Sequence, residues 1–271
     1  MAAKESRSSE EQWLHNVRRE VRQFCAEYSV VYGVKKRERA ASFEIGCLHM
    51  LVKNYEDSTG SIAVENLNKS GEFQYLTTPS GNPANFSWFK FHYGGQEFQI
   101  RQQVRIKSHW HSDITFSPDI VVLKPGAEIE DPKFQYYANG KNRFFHVLSS
   151  QVVSAHECKC LTPFPELLVS FVGMFGAAHE WYNPREEVEY IGEDGVHPAP
   201  CLFIGGDSNG IQRRMAAGLE ATFPFNVVTG LHFGRFRMRR DPGDSDFTIR
   251  YLHPDLIGQD PTREEATPQM S

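Results

Sequence analysis

No run in this sequence approaches the ~18 consecutive apolar residues that a membrane-spanning helix needs, so no membrane segment is expected. Residues 1–11 are polar and acid-bearing, without the apolar stretch of a secretory signal. Cysteine is scarce: 5 residues at irregular spacing, an odd number. A reduced, intracellular, cytoplasmic protein is the resulting expectation. Excess positive charge is lacking too. Lys and Arg total 29 against 34 Asp and Glu, for a net charge of -5 and a pI near 6.1. That balance argues against a surface wholly devoted to nucleic acid, so phosphate chemistry here requires cations concentrated locally. No internal repeat, zinc finger or helix-turn-helix pattern is evident.

What is present is ordinary globular composition: 271 residues, 40% hydrophobic, 13% aromatic and 23% charged. This suits one large domain or two small ones. Trp13, Val17, Val21, Phe24 and Tyr28 recur at helical spacing over residues 10–29. Lys35, Lys36, Arg37 and Arg39 form a basic linker into a second helix over 40–55, striped by Phe43, Cys47, Met50 and Leu51, with Glu44 in its first turn. Residues 65–95, rich in Asn, Gly, Pro and aromatics, suggest loops and hairpins. Phe98, Ile100, Val104 and Ile106 mark a strand-like run with a phase slip at Gln102 and Gln103. Short apolar strands are expected at 119–123, 151–161, 201–204 and 225–228, with helices after Pro165 and, capped by Ser208 or Asn209, over 210–222. Alternating strands and helices predict an α/β fold, a mixed central sheet flanked by helices. The expected organisation is an N-terminal helix and basic linker (1–39), a main domain (40–257) and a disordered tail (258–271).

Asp119 stands at the start of one apolar strand, and Glu157 and Lys159 lie on the next. Residues two apart on a strand share a face, so Glu157 and Lys159 project together while Cys158 and Cys160 point the other way. If the strands are neighbours, Asp119 joins the pair. Converging carboxylates repel unless a cation lies between them. Mg²⁺, with hard oxygen ligands and several retained waters, suits such a pair, and Mn²⁺ is the substitute. Lys159 is then placed to stabilise charge on a phosphodiester or to position water.

Ser117-Pro118-Asp119 followed by Glu157-Cys158-Lys159 resembles the signature of the PD-(D/E)xK nucleases, whose fold is restriction-endonuclease-like. The order of elements over residues 40–230 is also similar: an acid-bearing helix, a strand meander, a helix and a further strand. The run from Ile204 through Gly210, then a helix and the 225–228 strand, is similar to the Mrr-like branch. The resemblance implies metal ligation by Asp119 and Glu157, a catalytic role for Lys159 and an auxiliary one for Glu44. It implies an Mg²⁺-dependent endonuclease cutting double-stranded DNA, working as a homo-oligomer, in defence against foreign DNA. Residues 128–142 read as an insertion between the two motif strands.

Other readings stay open. The same site suits RNA cleavage, and the fold suits a silent binding or scaffold protein. His109, His111 and Asp113 share one face of an expected strand and offer a zinc site or a solvated edge. Arg235, Arg237 and Arg239 alternate with Phe236 and Met238, a basic strand face for nucleic-acid binding or for solubility. Target choice falls to the aromatic-rich insertion at 73–98, to a partner, or to an activating protein or small ligand. His156 points away from Glu157 by alternation and takes no role.

Overall fold

The computed structural model describes residues 19, 30–31, 38–79, 81–130, 145–233 and 249–257. Its elements are β1 (Val30–Val31), α1 (Glu38–Thr59), β2 (Ile62–Glu65), β3 (Phe73–Gln74), β4 (Trp88–Tyr93), β5 (Gln96–Gln102), β6 (Arg105–Lys107), β7 (Thr115–Phe116), β8 (Ile120–Leu123), β9 (His146–Leu148), β10 (Val152–Lys159), α2 (Pro165–Ala178), β11 (Cys201–Ile204), α3 (Gly210–Thr222) and β12 (Asn226–Val228). The chain is α/β. Seven strands form one mixed sheet in the order β12-β11-β10-β8-β5-β4-β2, beside a small sheet β7-β6-β9 and the pair β1-β3.

The order follows from the connections. Tight turns join β4 to β5, and β5, β8 and β10 pair antiparallel. The β10-to-β11 connection carries α2, and these strands are parallel, as a helical crossover allows. β8 and β10 pair directly, from Val152 opposite Leu123 to His156 opposite Ile120, despite the long segment between them.

Each helix covers one face. α1 lays Phe43, Cys47, Leu51 and Tyr55 onto a core with Phe91, Phe98, Ile120, Cys158 and Phe203. Burying each large side chain contributes roughly 1.5–3 kcal/mol. On the other face Leu168, Phe171 and Phe175 of α2 pack on Leu202, Ile204 and Phe225. α3 begins at Asn209, whose side chain accepts from the Ile211 and Gln212 amides while Gln212 returns a bond to the Asn209 amide. This reciprocal cap satisfies donors a helix start leaves open.

The structure corrects several expectations. α1 starts at Glu38, so Glu44 sits in its second turn and gains little from the helix N-terminus. Within residues 73–98, read as a segment for target choice, Phe73, Phe89, Phe91 and Phe98 are core side chains of β3, β4 and β5. The hairpin expected in this stretch is present as β4 and β5, joined at Gly94 and Gly95, and its aromatics are core. His109, His111 and Asp113 lie in the loop between β6 and β7, closed by Ser108 N–H to Ile114 O and Ile114 N–H to His111 O, not on a strand. Apart from residue 19, which is helical, the expected 10–29 helix falls outside the described residues, as do Lys35, Lys36, Arg37, the basic face Arg235, Arg237 and Arg239, and the 258–271 tail. No helix among the described residues is long and apolar enough to cross a membrane.

Candidate active site

β10 carries the site on one face. Cys158 belongs to the core under α1, whereas Glu157 and Lys159 are in register with Leu202 and Ile204, which face α2. Extending the pairing of His156 with Ile120 by one step sets Asp119 across from Glu157. Asp119 is 7% exposed. Its Oδ2 accepts from the Cys158 amide at 2.7 Å and lies 3.5 Å from Lys159 Nζ. Lys159 Nζ also pairs with Glu157 Oε1. The three sequence-marked residues therefore meet, with the ammonium between the two carboxylates.

Gln103 ties in the fourth. Its Nε2 donates to Asp119 Oδ1 at 2.8 Å and to Glu44 Oε2 at 3.3 Å. Two oxygen acceptors require the amide nitrogen to face them. Gln103 reaches this position because its backbone is left-handed, φ 52°, and its own N–H donates to Asp119 O at 3.1 Å. Ser117 Oγ donates to Gln103 O at 3.1 Å, holding the Ser117-Pro118-Asp119 corner against this kink. The phase slip was visible in the sequence; the role of Gln103 was not, because it depends on a backbone turn that aims the side chain at residues far along the chain.

The electrostatics are crowded. Burial, then the Asp119 charge, pushes Glu44 up to about 8, against the opposing pull of Gln103 and Lys159. Burial and Asp119 push Glu157 up to about 7, although Lys159 pulls it down. Burial works against the charge on Lys159, but Asp119 and Glu157 outweigh it and hold the ammonium protonated above its ordinary range. One ammonium thus serves three carboxyl groups, and burial first, with the crowding of carboxylates second, keeps Glu44 and Glu157 partly protonated near neutrality.

The donor set was tested against a divalent cation. It fits Mg²⁺ in chemistry: every acceptor is a hard oxygen, and Glu157 Oε2 is buried without a hydrogen-bond partner. Among the described residues no group of three or more His, Cys, Asp or Glu side chains is arranged to hold a metal. Asp119 and Glu157 would therefore supply two ligands, leaving the remaining positions to water and substrate oxygens, which is the ordinary habit of Mg²⁺. The exposed pair His111 Nδ1 and Asp113 Oδ2, 4.0 Å apart, gives zinc no such support.

The neighbouring histidine is a core residue. His156 Nδ1 accepts from the Cys201 amide at 3.1 Å, which leaves the Nε2 hydrogen for Ser154 Oγ at 3.0 Å. Burial lowers its pKa to about 3, so it stays neutral. Comparisons of the chain with protein-family models, curated proteins and solved structures found no match.

Proposed function

We propose that this protein is a divalent-metal-dependent phosphodiesterase acting on nucleic acid, in the manner of the PD-(D/E)xK nucleases, with DNA as its substrate. The observation that carries the reading is the convergence of Asp119, Glu157 and Lys159 on one buried spot, with a carboxylate oxygen left unpartnered. The order of an acid-bearing helix, antiparallel strands β5, β8 and β10, helix α2 and parallel strand β11 agrees with a restriction-endonuclease-like core and supports the reading.

Each residue has a task. Asp119 and Glu157 would hold the metal, which would supply a lowered pKa for water and polarisation of a phosphoryl oxygen. The Lys159 ammonium, held beside Glu157 and Asp119, is placed to donate to a phosphate oxygen where negative charge would develop. Glu44 and Gln103 act through Asp119: the amide fixes its Oδ1 orientation, and Glu44 anchors the amide. Positioning of this kind accounts for roughly 10–100-fold in affinity or activity at metal sites.

The test is a substrate panel. Purified protein is incubated with plasmid, linear duplex DNA and RNA in Mg²⁺, Mn²⁺ or EDTA. Cleavage of DNA with either ion and none in EDTA is expected. Cleavage unaffected by EDTA, or hydrolysis of RNA alone, would overturn the respective half of the proposal.

A further inference from the structure

The chain leaves β10 and builds a ridge beside the site. Lys159 O accepts from the Gly205 amide and Leu161 O from the Gly206 amide, each at 2.9 Å. Gln212 Nε2 then donates to Pro163 O at 2.5 Å, tying the start of α3 to the start of α2. A Cβ on Gly206 would lie 2.7 Å from Thr162 Cα, so the two backbones are closely packed. Rigid support of this sort makes the side chains above it notable. Leu161, Phe164 and Ile211 are large apolar groups that are 39%, 42% and 61% exposed. Phe164 lies five positions past Lys159 in the sequence and caps α2, the helix that packs on Leu202 and Ile204.

The flanking charge is mixed, with Glu166 in the first turn of α2 and Asp207 as exposed acids beside two exposed arginines. Arg213 and Arg214 stand in the first turns of α3, both exposed, and neither pairs with a carboxylate among the described residues. Arg213 Nη1 is anchored on Ser208 O at 2.9 Å, which leaves its other donors open. Asp207, the nearby acid, accepts from the Ser208 amide.

We infer that this ridge is a platform for a nucleic-acid strand with unpaired bases next to the scissile bond: Phe164 stacks on a base, and Arg213 and Arg214 contact the backbone. Aromatic stacking with neighbouring cations is how single strands are held without sequence readout. A paired duplex hides its base faces and gains only the arginine contacts. The inference rests on the phosphodiesterase reading for its substrate, and it narrows that substrate to single strands, loops or frayed duplex. A second copy of this chain is the competing occupant.

The test separates the two claims. Binding of a labelled single strand and its duplex is measured by anisotropy on the Glu157→Gln protein, with Phe164→Ala, Phe164→Tyr and the double Arg213→Ala/Arg214→Ala added in turn. Preference for the single strand is expected, weakened about 5- to 100-fold by Phe164→Ala and retained by Phe164→Tyr. The double arginine variant should lower the salt slope by about 1.4. Val188→Ala, exposed elsewhere, should change nothing. Equal binding by the Phe164→Ala and arginine variants overturns the platform even where wild-type protein cleaves DNA. Ridge-dependent binding by a protein that cleaves nothing upholds the platform and removes the phosphodiesterase. Loss of a dimer on gel filtration of Phe164→Ala, with strand binding intact, assigns the ridge to a second copy and overturns the inference.

Discussion

At the scale of single residues, charge crowding makes a signed prediction. Glu44 and Glu157 ionise at about 8 and about 7 in the folded chain, against an ordinary value of 4.5. Between those values the folded form keeps protons that the unfolded form releases, so stability is greatest below 4.5 and falls as pH rises through 7 to 8. With metal chelated, Glu44→Gln should gain in Tm over wild type as pH goes from about 5 to about 8.5, because the variant has no proton to lose. A constant difference across that range would contradict the crowding. Adding Mg²⁺ at the upper pH should raise the wild-type Tm, since ligand binding to the folded state alone stabilises it. Gln103→Ala removes the donor shared by Asp119 and Glu44, and a loss of about 10–100-fold in cleavage rate is expected with the fold retained.

At the scale of elements, the legible parts were those with local signals. β11 and α3 match their expected bounds because Gly205, Gly206 and the Asn209 cap punctuate them. Asn209→Ala should cost about 1 kcal/mol in urea unfolding. Gly206→Ala should cost about 1–3 kcal/mol by forcing apart the backbones at Thr162. The meeting of Asp119, Glu157 and Lys159 was legible in the sequence because strand periodicity aligns the last two and a short motif marks the first. Three things were not legible. His109, His111 and Asp113 alternate like a strand, but turn hydrogen bonds among Ser108, His111 and Ile114 make a loop. The 73–98 aromatics are core, decided by pairing of β2, β4 and β5 over long range. Gln103 acts through a left-handed residue, and propensity alone places no such conformation at Gln.

At the scale of the whole molecule, the sheet brings together what the chain separates. β8 and β10 pair antiparallel, α2 returns the chain so that β11 lies parallel to β10, and the ends of these strands gather Glu44, Gln103, Asp119, Glu157 and Lys159. The ridge of Leu161, Phe164 and Ile211 grows from the same strand ends. On the proposed function, substrate positioning and chemistry would both depend on one junction of β10, β11 and the starts of α2 and α3. The measurement that tests the central claim most directly is the single-turnover rate of Mg²⁺-dependent cleavage of plasmid and of single-stranded DNA by wild type, Glu157→Gln and Lys159→Ala, with matched thermal melts to show that each is folded. The account predicts cleavage by wild type and a loss of at least about 100-fold in both variants. Wild-type rates in either folded variant would contradict it.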